Sequence, residues 1–206
     1  MYIKKPMDIE NKSMDIIDEH IKDTNFTDEE IIVVKRMIHT TGDFDYKTII
    51  SFKEDFISHS KEAILSSGVI FTDTKMAYYG INKNALYKSN CELKYFIDDE
   101  DVAIKAKEKG VTRSYCAVEK AVNEGIDMFV IGNAPTALFR LLELVKEGRV
   151  KPKFIVGVPV GFVGAAESKE YLREFEIPSI STIGNKGGSN VAASIINALL
   201  YMVVGR

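Results

Sequence analysis

The sequence predicts an α/β protein, with a mainly parallel sheet flanked by helices and additional helices at the N-terminus. Three observations carry this expectation. An unbroken apolar run, a glycine-bearing turn and a helix follow one another from Met128 to Gly148. The same order returns from Phe154 to beyond Ala166, and again from Ser179 to Val203. Apolar runs without alternation suit strands covered on both faces, as in a parallel sheet, whereas the residues ahead of Gly68 show mostly helical spacing. The arrangement that satisfies all three is a Rossmann-like three-layer fold, read as a single domain over residues 1–206.

Composition narrows the class. A hydrophobic fraction of 46% with 28% charged residues is that of an ordinary globular protein. The net charge of -3 lacks the basic excess of a general nucleic-acid binder. Cys91 and Cys116 stand far apart without companions at metal-ligand spacing, so they read as reduced, buried thiols of a cytoplasmic protein. Met1–Asp8 has no apolar core of a secretion signal. Val191–Val204 is apolar but too short to span a bilayer, and it contains Ser194 and Asn197, so it reads as a core or interface helix. No membrane partner is expected.

The organising repeat has specific joints. Met128–Ile131 reads as a buried strand ending at Gly132, and Asn133 is placed to cap a helix whose first turn holds Pro135. Phe154–Val158 breaks at Pro159 and Gly161, and a helix follows Gly164-Ala165-Ala166. The N–H groups at these helix starts are expected to gather at the carboxyl edge of one sheet and to favour a polar, anionic ligand. Ser179–Ile183, the turn Gly184-Asn185-Lys186-Gly187-Gly188-Ser189-Asn190 and a last helix complete the pattern. That turn is neither a Walker A sequence nor GxGxxG, and Lys186 suits a ligand with several carboxylates as well as a phosphate.

Ahead of the repeat, a helix over Ile9–Lys22 places Met14, Ile17 and Ile21 on one face, with His20 among solvated charges. Thr27 with Glu30 forms a capping box, and the helix it opens points Ile31, Val34 and Ile38 inward and ends at Gly42. Arg36 and His39 share a face beside this apolar stripe. Imidazole is the side chain that changes charge around neutral pH, so His39 is either an acid–base group or a residue that caps the last carbonyls. A helix is expected over Phe52–Ser66, with His59 on its surface. Val69–Asp73 reads as a strand, and Asp73 either faces a ligand or caps the helix from Thr74 to Tyr79. Glu92–Ile97 is a further strand. Asp98–Asp101 reads as the acidic first turn of a helix rather than a metal site. Helices are expected over Glu100–Lys109 and Thr112–Glu124. Arg113, at the start of the latter, either meets an anionic ligand or is a plain surface residue.

At Ile131–Phe139 and Gly157–Lys169 the chain resembles the precorrin-8X methylmutase family, which includes the cobalt-precorrin-8 methylmutases of cobalamin biosynthesis. Ile9-Glu10 with Ser13, Arg36-Met37-Ile38-His39, Thr112-Arg113-Ser114 and Gly187-Gly188-Ser189 extend the likeness over essentially the whole chain in the family's order. The resemblance implies an isomerase that moves a methyl group from C-11 to C-12 of a contracted tetrapyrrole to give hydrogenobyrinate or cobyrinate. It implies His39 as the catalytic acid–base residue, with Ser13, Arg36, Arg113, Asn133 and Thr136 as substrate contacts. Lys186 joins them because the substrate carries acetate and propionate groups at its rim. No cofactor and no protein-bound metal are expected, since the migrating methyl is already on the substrate and any cobalt belongs to it. The resemblance also implies a homodimer with its site near the subunit interface. Two departures stand out. Asn185-Lys186 replaces an arginine that some members carry, so the contact there loses a bidentate fork. Thr40-Thr41 follows the histidine where some members have a small apolar residue and cysteine. The alternative function is a tetrapyrrole- or corrinoid-binding protein without the chemistry, and a weaker one an enzyme of a nucleotide or phosphorylated substrate at Gly187-Gly188.

Overall fold

A computed structural model describes residues 4–206; the first three residues of the Met1–Asp8 segment lie outside the described residues. In chain order the elements are α1 (Pro6–Ile21), α2 (Asp28–Thr41), α3 (Tyr46–Ile49), β1 (Ile50–Lys53), α4 (Phe56–Leu65), β2 (Gly68–Thr72), α5 (Lys75–Gly80), α6 (Lys83–Lys88) and β3 (Cys91–Lys94). They continue as α7 (Glu100–Lys109), α8 (Arg113–Asn123), β4 (Met128–Ile131), α9 (Pro135–Lys146), β5 (Phe154–Gly157), α10 (Ala165–Arg173), β6 (Ser179–Thr182) and α11 (Ser189–Val204).

The six strands form one sheet in the order β1-β6-β5-β4-β2-β3. β3, β2, β4, β5 and β6 are parallel to their neighbours, and only the edge strand β1 is antiparallel. The mainly parallel α/β architecture is therefore the one expected. Successive side chains of a strand point to opposite faces, and the two cores follow that alternation. Met128, Val130, Phe154 and Val156 enter a core shared with α1, α2, α4 and α11. Phe129, Ile131 and Ile155 enter a second core shared with α7, α8 and α9. The apolar α11 lies inside the first core, with Val191, Ile195, Ile196 and Leu199 fully buried.

Local signals hold at the helix ends. The Thr27 N–H donates to Glu30 Oε2 at 2.8 Å and the Glu30 N–H to Thr27 Oγ1 at 3.3 Å, which completes the capping box. Gly42 closes α2 in the left-handed region at φ 67°. Val34 and Ile38 are buried together with Val33 and Met37, while Ile31 packs at the margin. α1 begins three residues earlier than expected, because Pro6 fits the first helical turn.

The expected helix over Phe52–Ser66 is only partly present. Ile50–Lys53 forms β1 instead, pairing with β6, and α4 starts at Phe56. Apolar residues at 49, 50, 52 and 56 satisfy either reading, and the open edge of β6, which pairs with Ile50–Lys53, tips the choice to strand. Glu54 and Asp55, at φ 51° and 45°, turn the chain between the two elements. Cys91 and Cys116 are buried and unpaired. Among the described residues no helix is long and apolar enough to cross a membrane.

Candidate functional site

The turns after β2, β4, β5 and β6 meet at the carboxyl edge of the sheet and bind one another. The Gly188 N–H donates to the Val158 carbonyl at 2.9 Å, and the Gly161 N–H to the Asn185 carbonyl at 3.2 Å. Thr74 Oγ1 meets Ser189 Oγ at 2.8 Å. The glycine-rich turn is pressed onto β5: a Cβ on Gly187 would lie 2.2 Å from the Val158 carbonyl oxygen. Gly187 therefore serves close backbone packing, and the N–H of Gly188 is already spent. This argues against the phosphate-cradle reading of that turn.

The turn after β4 holds a surprise for the sequence reading. Asp73 neither caps α5, whose cap is Thr74, nor faces outward. It is 1% exposed. Its carboxylate accepts the N–H groups of Gly132 at 2.9 Å, Asn133 at 2.9 Å and Ala134 at 2.8 Å. The N–H groups expected to bind a ligand's anion at this turn are thus occupied from within. Ala134, not Asn133, takes the N-cap position of α9, and the Asn133 side chain is exposed. Burial raises the pKa of the Asp73 carboxyl above its ordinary value, and the three N–H groups offset only part of that rise.

Beside this turn, Thr136 Oγ1 lies 2.8 Å from Thr112 Oγ1, which joins the starts of α8 and α9. Arg113, the first residue of α8, is exposed next to that contact, and no side chain among the described residues pairs with it. Asn133, Thr136 and Arg113 therefore form one group of donors.

A second group lies on α1 and α2. Arg36 is 22% exposed, 3.8 Å from Glu10, and its guanidinium sits 5.2 Å from the Tyr201 ring centroid. Arg206 also pairs with Glu10. The Arg206 contact, followed by the charges of Arg36 and His39, holds the Glu10 carboxyl below its ordinary value. His39 therefore lies within electrostatic reach of this cluster, exposed in the last turn of α2. Ser13, half-buried one turn after Glu10, donates its hydroxyl to the Ile9 carbonyl at 2.8 Å. A cavity of about 280 Å³ lined by Met7, Glu10, Met14, Arg36 and Arg206 opens here.

Lys186 belongs to neither group. Its Nζ lies 2.5 Å from Asp43 Oδ2 and 2.7 Å from Asp45 Oδ2, and these carboxylates hold its pKa well above the ordinary lysine value. Asp43 and Asp45 follow α2, and Tyr46 donates its hydroxyl to the Gly187 carbonyl at 3.4 Å. The segment that follows His39 is thus docked on the turn after β6.

The model of the family described as precorrin-8X methylmutase matches residues 8–202. The chain belongs to the precorrin-8X methylmutase family. It is 45% identical over 207 residues to the cobalt-precorrin-8 methylmutase of Salmonella typhimurium, covering 97% of each chain. It is 36% identical over 202 residues to the precorrin-8X methylmutase of a Sinorhizobium species, covering 96% of this chain and 95% of that one. The crystal structure of the precorrin-8X methylmutase from Thermus thermophilus matches with a TM-score of 0.88 at 33% identity, over 96% of both chains.

Within this methylmutase family fold, Arg36 and His39 act on Glu10 with Ser13 one turn further along α1, and Arg113, Asn133 and Thr136 come together at the starts of α8 and α9. The two groups sit on helices that cover opposite faces of the sheet. Sequence reasoning did not single out Lys169. It is fully buried beneath the glycine-rich turn and donates to Thr182 Oγ1 at 3.0 Å and to the Lys186 carbonyl at 2.8 Å. Burial, then the neighbouring Arg173, push its pKa down to about 8. Its only signal in the sequence was a lysine one turn into a short helix after an apolar strand. Asp99 and Asp101 pair with Lys120, in keeping with the acidic helix start. Among the described residues no three His, Cys, Asp or Glu side chains stand together to hold a metal ion.

Proposed function

We propose that this member of the methylmutase family moves a methyl group from C-11 to C-12 of precorrin-8 or its cobalt form, with His39 as the acid–base group. The observation that carries this reading is the Glu10, Ser13, Arg36 and His39 cluster on a chain of that family. An imidazole in the last turn of α2, near a paired arginine and carboxylate, is placed to give a proton to a bound macrocycle and recover it. The C-11–methyl bond breaks as the C-12–methyl bond forms, and the proton returns to His39, so no atom is gained or lost. The reaction calls for no cofactor, and cobalt enters as part of the substrate.

Because the two groups lie over opposite faces of one sheet, we propose that Arg36 and Ser13 of one protomer and Arg113, Asn133 and Thr136 of a second meet the acetate and propionate groups of one substrate across the dimer. Lys186 contributes through its hold on the Asp43–Tyr46 segment, and it reaches a substrate only by releasing Asp43 and Asp45. Relatives named for the cobalt substrate reach 45% identity and those named precorrin-8X methylmutase reach 40%, which leans the reading towards the cobalt form.

The homodimer belongs to the same proposal. The 280 Å³ cavity beside Arg36 falls just under the roughly 300–1,000 Å³ of small-molecule sites, too small for a substituted macrocycle. Phe162 and Val163, 92% and 89% exposed after β5, supply apolar surface at the carboxyl edge for a second protomer to cover. We further propose that residues 1–206 act as one unit in the cytoplasm.

The test is a visible-absorption time course with precorrin-8 and with its cobalt form, comparing wild type and His39→Ala. A corrin spectrum from wild type, with binding but turnover lowered roughly 10²- to 10⁴-fold in the variant, is the expected result. Equal binding without conversion by either protein would transfer the function to a corrinoid-binding protein. Sedimentation of wild type and Phe162→Asp checks the dimer, which the aspartate should dissociate.

A further inference from the structure

Asp73 is a buried carboxylate to which the methylmutase reaction assigns no part. Among the described residues no lysine, arginine or histidine pairs with it, and its stabilisation comes from three successive backbone N–H groups. Such a row of N–H groups is a concavity for an anion, and here the anion is built in. A turn that needed only a helix cap would use a side chain at the N-cap itself, but that position is Ala134. The Asp73 backbone is fixed as well, since its N–H donates to the Val130 carbonyl at 3.1 Å. The carboxylate therefore sets the path of Gly132-Asn133-Ala134 from the neighbouring strand, without using any side chain of the turn.

That leaves Asn133 free to face outward, beside the Thr112–Thr136 contact and Arg113. Resting on the methylmutase reading, we propose that Asp73 is a positioning residue for substrate: it presents Asn133 and Thr136 to the rim of the tetrapyrrole and bars the substrate's carboxylates from the turn's N–H groups. Recognition at this edge then runs through side-chain donors, whose reach and direction select among rim substituents.

Steady-state kinetics on Asp73→Asn, Asn133→Ala and Thr136→Ala test this in the full-length protein with the precorrin substrate that wild type converts. The amide of Asp73→Asn turns one acceptor into a donor facing other donors, so the turn must open. The expected result is a KM raised roughly tenfold with kcat changed far less, in a protein whose circular dichroism is that of wild type. Asn133→Ala should raise KM in the same direction and add little on top of Asp73→Asn, because the two act through one contact. An Asp73→Asn protein that melts earlier but keeps the wild-type KM would reduce Asp73 to a structural role and overturn the proposal. If Asp73→Asn does not fold, the exposed Asn133→Ala and Thr136→Ala variants decide: unchanged KM in both removes the turn from the substrate. Wild type that converts neither precorrin form would instead bring down the methylmutase reading, a distinct outcome.

Discussion

Lys186 Nζ stands 2.5 Å from Asp43 Oδ2, and this ion pair ties the turn after β6 to the segment that follows the helix of His39. The two residues are 143 positions apart in the chain. With Asp45 and the Tyr46–Gly187 hydrogen bond, the pair makes the end of α2 and the carboxyl edge of the sheet one body.

Lys186→Met should therefore disturb catalysis more than stability. Lys186 is exposed and Asp43 half-buried, and ion pairs at the surface add little to folding, so Tm should stay within about 2 °C of wild type. The kcat/KM should fall several-fold, and Asp43→Asn should fall with it. A variant with wild-type kcat/KM would show that the segment after His39 needs no anchor.

Thr27→Ala removes the hydroxyl that accepts the Glu30 N–H and donates to Glu30 Oε2, and leaves only the backbone half of the capping box on α2. The expected cost is about 1 kcal/mol, a fall of roughly 2–4 °C in Tm for a chain of this size. Turnover at saturating substrate should be unchanged, since the cap lies at the opposite end of α2 from His39. Thermal melts followed by circular dichroism check the first part, and the absorption assay checks the second.

Lys169 makes stability depend on alkaline pH. Its pKa is about 8 in the folded chain against 10.5 for an ordinary lysine. Between those values the unfolded chain holds more protons at this residue, so its contribution to stability rises with pH across the window. Below pH 8 the cost of burying the ammonium is present in full, on the order of 2 kcal/mol once partial solvation is allowed for. Two of its N–H donors find acceptors, which is what a neutral amine offers and one fewer than an ammonium carries. Relative to wild type, Lys169→Met should be most stable near pH 7 and lose that advantage by pH 10.5. A difference in Tm that is flat with pH would refute this.

The glycine-rich turn separates packing from ligand binding. Gly187→Ala drives a Cβ into the Val158 carbonyl and should cost about 1–3 kcal/mol or more, with the Lys186 anchor displaced. Gly184→Ala meets no atom within 4 Å and bears only the strain of φ 74°, about 1 kcal/mol. Phosphate or nucleotide should leave the Tm of wild type unchanged. Stabilisation by either would restore the phosphate reading of the turn.

The sequence by itself determined the succession of strands, turns and helices, the capping box at Thr27, the left-handed stop at Gly42 and the family membership. These depend on neighbouring residues: periodicity, caps and glycines act within a turn or two of the chain, and so does the Arg36–His39 face. Tertiary structure alone decided the rest. Whether Ile50–Lys53 is helix or strand depended on the open edge of β6, which lies far along the chain. Asp73 could be read from its surroundings as a cap or a ligand group, but its real partners lie 59–61 residues away. Lys186 read as a free cation until Asp43 and Asp45 folded against it, and Lys169 gave no sign of its burial. Long-range contacts between polar groups leave no periodic trace in a sequence, so the local chemistry was legible and the occupancy of each donor and charge was not.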